Sequence, residues 1–112
     1  MPRFVVLEHD WPTLHWDFLL EAGPVLRAWR LLAEPAAGKD VPAEPNADHR
    51  VLYLDYEGPV SGDRGTVRRW DAGTFELVAD APGRVEVKLL GAKLAGRCVI
   101  ETSVFRLTAP AV

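Results

Sequence analysis

His9, His15 and Asp17 are the residues of this chain best suited to chemistry. They stand in the stretch Phe4-Val5-Val6-Leu7-Glu8-His9-Asp10-Trp11-Pro12-Thr13-Leu14-His15-Trp16-Asp17-Phe18-Leu19-Leu20-Glu21. Two imidazoles and a carboxylate offer one divalent metal ion three ligands of hard to borderline character, and they leave positions open for water and substrate. The chain has three histidines, and two of them lie here. A shared site requires a shared surface. From Leu14 to Leu20 apolar residues alternate with a period of two, so on a strand His15 and Asp17 point to one face. Leu14, Trp16, Phe18 and Leu20 then point to the other. The bland alternative is a polar strand edge whose side chains only hydrogen-bond. The third histidine, His49, precedes Tyr53. On an extended segment His49, Val51 and Tyr53 share a face; a loop histidine beside a packing tyrosine is the alternative.

The elements that must position these residues read mostly as strands. Arg3 to Leu7, Leu14 to Leu20, Val25 to Leu32, Val51 to Glu57, Thr66 to Trp70, Thr74 to Val78, Arg84 to Leu90, Arg97 to Glu101 and Ser103 to Leu107 carry apolar or alternating patterns. Glycine and proline mark the turns, among them Gly23-Pro24, Gly58-Pro59, Asp71-Ala72-Gly73 and Ala81-Pro82-Gly83. Many short strands with regular turn signals predict a mainly β fold, a compact antiparallel barrel with short helical or loop insertions. The segment from Ala33 to Asp48, with Pro35, Pro42 and Pro45, has little to bury and is expected to be a mobile loop.

Composition sets the remaining bounds. The 112 residues suffice for one domain, 1–112, with one modest core. Apolar content of 48% and charged content of 26% fit a globular chain rather than a disordered one. A net charge of −3 argues against nucleic-acid binding driven by bulk charge, although it leaves room for a local basic patch. Cys98 has no partner for an internal disulfide, which points to a reducing cytoplasm. Pro2 and Arg3 lead into a short apolar run with no leader pattern, and no stretch approaches the ~20 apolar residues that span a bilayer. Trp11, Trp16, Trp29 and Trp70 read as core or rim packing, with base stacking as the lesser alternative.

Four ordered blocks resemble the 3′-phosphoesterase domain family found at the N-terminus of bacterial DNA ligase D and as stand-alone proteins. The first is Phe4 to Glu21, against a family stretch Phe-Val-Val-x-x-His-Asp-x-x-x-Leu-His-Tyr-Asp-Phe-Arg-Leu-Glu. The second is Asp48-His49, Tyr53 and Tyr56-Glu57-Gly58. The third is Gly65-Thr66-Val67 with Trp70-Asp71-Ala72-Gly73-Thr74. The fourth runs from Leu89 to Arg97. The resemblance implies a β-barrel and a divalent metal, typically Mn2+, held by His9, His15 and Asp17. It places His49 and Tyr53 against the scissile phosphate, so the implied catalytic set is His9, His15, Asp17, His49 and Tyr53. The implied activity is removal of a 3′-phosphate, or of a terminal ribonucleotide and then its phosphate, from a DNA primer end. The implied partners are that DNA 3′ end and DNA-repair ligase proteins, with the domain acting as a monomer.

The chain departs from the pattern where charge matters. Leu19 stands for the family's arginine, Ala47 for the acid before Asp-His, and Ala33 for a lysine. The proline-rich segment replaces an arginine-bearing one, and the loop before Gly65 is shortened to Ser61-Gly62-Asp63-Arg64. Phosphoryl transfer depends on cations around the nonbridging oxygens, so these losses bear on rate. Lys39, Arg50 and Arg64 are candidate substitutes, and Leu19→Arg is expected to raise activity if the barrel accepts it. Three readings follow: a weakened phosphoesterase on DNA 3′ ends, an inactive metal-containing module that binds nucleic-acid ends or a repair partner, and a phosphoesterase for a smaller substrate. An electropositive pocket at the metal ligands favours the first.

Overall fold

Apolar runs without alternation, such as Phe4-Val5-Val6-Leu7, demand burial on both faces of a strand, and the architecture supplies it. The computed structural model describes residues 1–110. Its strands are β1 (Arg3–His9), β2 (His15–Ala22), β3 (Val25–Leu31), β4 (Asp40–Arg50), β5 (Gly58–Pro59), β6 (Thr66–Ala81), β7 (Arg84–Gly91), β8 (Ala95–Glu101) and β9 (Val104–Thr108). They pair in the order β1-β2-β3-β4-β9-β8-β7-β6, and β6 returns to β1 to close a ring of eight strands. The ladders are antiparallel, and β5 adds a short rung beside β6. The barrel-like fold matches the one expected, and ring closure pairs most strands on both sides, with β4 open on one side beyond Pro42. No helix among the described residues is long and apolar enough to cross a membrane.

The ring interior is filled by Phe4, Val6, Trp16, Phe18, Leu20 and Trp29 from β1–β3, with Phe75, Val87, Leu89, Ile100 and Phe105 opposite. Phe18 sits at its centre, edge-on to Phe105 with centroids 5.4 Å apart and tilted against Phe4 and Trp29 at 6.1 Å each. A second apolar cluster covers the other face of the same three strands. Val5, Leu7, Leu19, Leu26 and Ala28 pack there with Leu54 and Val67, beneath Val51, Tyr53, Tyr56 and Val60. His9, His15 and Asp17 belong to this second face.

Three expectations need correction. The proline-rich segment is not a loop throughout: Asp40–Arg50 forms β4, paired with β3 along most of its length and with β9 through Asp40, Val41 and Pro42. Pro45 lies where β4 has a neighbour on one side only, so its missing N–H breaks no ladder bond on the open side. Val51 to Glu57 is not a strand: Val51–Leu54 forms a 3₁₀ turn. A period of three puts Val51 and Leu54 on one side of such a turn, against the second cluster. Likewise Asp71-Ala72-Gly73 does not end a strand, and β6 runs through it. Asp71 is buried and accepts backbone N–H bonds from Ala92, Lys93 and Leu94, which ties down the β7–β8 turn.

Candidate metal centre

The β1–β2 ladder sets His9 directly opposite His15 and Leu7 opposite Asp17. Strand alternation therefore puts both imidazoles and the carboxylate on the outer face, next to one another. The two rings lie 4.7 Å apart between centroids, and one ligand atom from each of the three residues falls within 4.8 Å of the others. His15 and Asp17 are almost fully buried, while His9 is partly open.

Each imidazole is aimed from behind by a backbone carbonyl. His15 Nδ1 donates to the Thr13 carbonyl at 2.8 Å, which leaves Nε2 facing the cluster. That Nε2 lies 3.1 Å from Asp17 Oδ1 but out of line for a hydrogen bond, and it finds no other partner. His9 Nε2 donates to the Arg64 carbonyl at 2.8 Å, and Nδ1 stands 3.0 Å from Asp17 Oδ2. An imidazole held by a carbonyl on one nitrogen and turned to a carboxylate on the other is the usual arrangement of a metal-ligating histidine. Burial pulls the His15 pKa down, and Arg30 adds to this. The Asp17 carboxylate and the Thr13 carbonyl outweigh both, so the imidazole lies above its ordinary value. Burial alone would raise the Asp17 pKa, but His15 and His9 hold it below the ordinary carboxylate range. Converging lone pairs and an orphaned buried nitrogen fit a divalent cation. His9 Nδ1, His15 Nε2 and the Asp17 carboxylate are the atoms that would hold it.

These groups form the floor of a cleft of about 530 Å³ between the outer face of β1–β3 and the segment from Asn46 to Arg64. The bulge in the β3–β4 ladder between Leu26 and Ala28 delivers His49 to its wall, and the 3₁₀ turn delivers Tyr53. Their rings meet edge to face at 5.9 Å. His49 Nδ1 donates to the Ala47 carbonyl at 2.9 Å, so its Nε2 remains for a ligand. All five predicted site residues thus line one cleft.

Gly65 makes a close join beside the site. Its φ is +76°, and a Cβ there would collide with Asp10 and Trp11. With no side chain in the way, Thr66 N–H reaches Asp10 Oδ1 at 2.8 Å and the Arg64 carbonyl reaches His9.

The cations differ from those expected. Lys39 is spent on the Glu34 carbonyl and lies outside the cleft, whereas Arg50 and Arg64 line it. The sequence reading missed Arg30, which also lines it and stands opposite Asp17 in the β2–β3 ladder. Three arginines against Asp17 and Asp48 leave the lining with a formal excess of one positive charge. Trp11, 43% exposed, stands at the same lining, while Trp16 and Trp29 are core residues. Leu19 is fully buried in the second apolar cluster and does not reach the opening.

A model of the DNA ligase D 3′-phosphoesterase domain matches residues 7–102. The chain belongs to that family. It is 32% identical over 105 residues to the multifunctional non-homologous end joining protein LigD of Pseudomonas aeruginosa, covering 85% of this chain and 12% of that protein. It is 35% identical over 109 residues to the multifunctional non-homologous end joining DNA repair protein LigD of Mycobacterium tuberculosis, covering 84% and 14%. The Mycolicibacterium smegmatis LigD is 30% identical over 112 residues, covering 85% and 15%. The chain therefore spans roughly an eighth to a seventh of the length of these relatives.

Proposed function

We propose that this protein is a Mn2+-dependent 3′-phosphoesterase that clears 3′-phosphates from DNA ends during repair in the cytoplasm. One observation carries the reading: the orphaned His15 Nε2, turned to Asp17 and His9 on the floor of an arginine-lined cleft that His49 and Tyr53 also line. His9, His15 and Asp17 would hold a divalent ion, which when bound would supply Lewis-acid polarisation of a phosphoryl oxygen. The residues do the rest. Thr13 and Arg64 carbonyls fix the imidazoles so that no reorientation accompanies the reaction. Water adds to phosphorus, the bond from phosphorus to the 3′ oxygen breaks, and that oxygen takes a proton. His49 as an imidazolium would give that proton from Nε2 while its Nδ1–H stays on the Ala47 carbonyl, and a proton released by the attacking water would restore it. Tyr53 packs against the His49 ring and lines the same wall, where its hydroxyl would contact the phosphate.

The test is direct. A DNA primer bearing a 3′-phosphate, incubated with protein and Mn2+, should yield a 3′-hydroxyl and inorganic phosphate, and His49→Ala should slow this by about 10²–10⁴-fold. No turnover on any 3′-blocked DNA would defeat the proposal. A second reading, a metal-bearing module that binds ends without cutting, is favoured by the buried apolar Leu19 and by Ala47. It predicts binding of 3′-phosphorylated primer without product.

A further inference from the structure

The ten arginines of the chain divide by location. Arg3, Arg27, Arg84, Arg97 and Arg106 bond carboxylates at 2.6–3.0 Å, and Arg68 and Arg69 lie within 4.0 Å of one. The remaining three, Arg30, Arg50 and Arg64, have no carboxylate within that distance among the described residues, and all three line the cleft. Of these, Arg30 is the least accessible. It extends from β3 on the face shared by Leu26 and Ala28, opposite Asp17 on β2. Its Nε is buried and bonds nothing. Glu44 is its register neighbour on β4 yet does not pair with it.

The Arg30 Nε–H is withdrawn from water without an acceptor, and a buried donor of a charged group is costly unless a partner meets it. No carboxylate among the described residues pairs with this guanidinium, which leaves its fork free for an anionic ligand. We propose that Arg30 is the residue by which this chain holds the reacting phosphate. The proposal rests on the phosphoesterase reading and names the cation it requires. The planar fork of arginine matches two phosphoryl oxygens at once, which the point charge of lysine does not. Leu19 on β2 offers no charge, and its ladder partner Ala28 is small and lies two residues before Arg30 on the same face. The positive group therefore reaches the site from β3. Arg50 and Arg64 are exposed on the wall, where they can meet flanking backbone phosphates.

Arg30 has a stability signature as well. A structural arginine stabilises the fold when present, whereas one left unpaired for a ligand does not. The experiment combines calorimetric titration of the Mn2+-loaded protein with inorganic phosphate, the melting temperature without phosphate, and kcat/KM on 3′-phosphorylated primer. Arg30→Gln should weaken phosphate binding at least tenfold and lower kcat/KM by about 10²–10³-fold. Mn2+ affinity should be unchanged and the melting temperature unchanged or raised. Arg30→Lys should recover only part of the phosphate affinity, and Arg50→Gln and Arg64→Gln should each leave it within about threefold. The proposal fails if the wild type does not bind phosphate, if Arg30→Gln binds it equally well, or if Arg30→Gln loses affinity only together with melting temperature and Arg30→Lys restores both. Phosphate binding that depends on Arg30 in a protein without turnover would sink the enzyme reading alone.

Discussion

Asp17 and Arg30 face each other across the β2–β3 ladder and do not neutralise one another. The carboxylate oxygens of Asp17 lie 3.0 and 3.1 Å from the imidazoles of His9 and His15, and no salt bridge joins them to Arg30. A negative group turned to two imidazoles and a positive group without a carboxylate partner sit side by side. Under the proposed function, such a pair would meet a metal and a phosphate together.

Metal binding should be lost in His15→Ala. Calorimetry with Mn2+ should give one site in the wild type and none in the variant. Protons compete for the same lone pairs, so wild-type affinity should fall as pH is lowered through the imidazole range. Undiminished binding in His15→Ala would overturn the ligand assignment.

Gly65→Ala should damage the metal site from a distance. An added methyl group displaces the segment that carries the Arg64 carbonyl, and φ of +76° suits alanine poorly. His9 then loses its anchor, and Mn2+ affinity should drop by about 10–100-fold, as for other losses of support behind a ligand. The circular dichroism spectrum should remain that of a β protein.

Phe18→Ala should cost about 3–5 kcal/mol in a denaturant titration. The ring is fully buried among Phe4, Trp29 and Phe105, and nothing nearby is free to fill its volume.

Acid stability should depend in part on Glu86. Its carboxylate bonds Arg97 at 2.8 Å and Arg84 at 2.9 Å, which hold its pKa at about 2 against an ordinary 4.5. A depressed carboxyl pKa means that the unfolded chain binds the proton first. The contribution is therefore complete above about pH 4.5 and fades as pH falls towards about 2. Melting curves of wild type and Glu86→Gln should differ at neutral pH and converge across that window.

Leu19→Arg should not raise activity, contrary to the expectation from the sequence. Position 19 does share the face of His15 and Asp17, but it lies under the second apolar cluster. An uncompensated charge there typically costs ~3–5 kcal/mol. A lowered melting temperature and no gain in rate are the expected results.

Much of this was legible in the residues. Alternation in His15-Trp16-Asp17-Phe18 separated the core side from the ligand side, and the spacing of glycine and proline turns foretold the antiparallel ring. Arg30 was legible too, though it was missed. Gly23-Pro24 is a two-residue turn with φ of +60° at Gly23, and such a turn fixes the register of both strands. Counting outward from Ala22 and Val25 makes Arg30 the partner of Asp17. β4 was hidden because prolines signal loops unless one edge of the strand is open. The turn at Val51–Leu54 was hidden because four residues fit a period of two and of three equally well. The support of His9 by a backbone carbonyl leaves no mark on side-chain chemistry at all.

The three candidate metal ligands come from a single hairpin, between His9 and Asp17, whereas His49 and Arg30 enter through other strands. Short loops close at little entropic cost, so bringing the three together is the least demanding part of the folding problem. During synthesis they are made before Arg30, His49, Tyr53 and Arg64. A cation captured by that nascent hairpin would also have affinity for the incompletely folded chain, and this would limit how far it can raise the melting temperature. Ion capture would then begin before the cleft wall exists and tighten when the Arg64 carbonyl reaches His9.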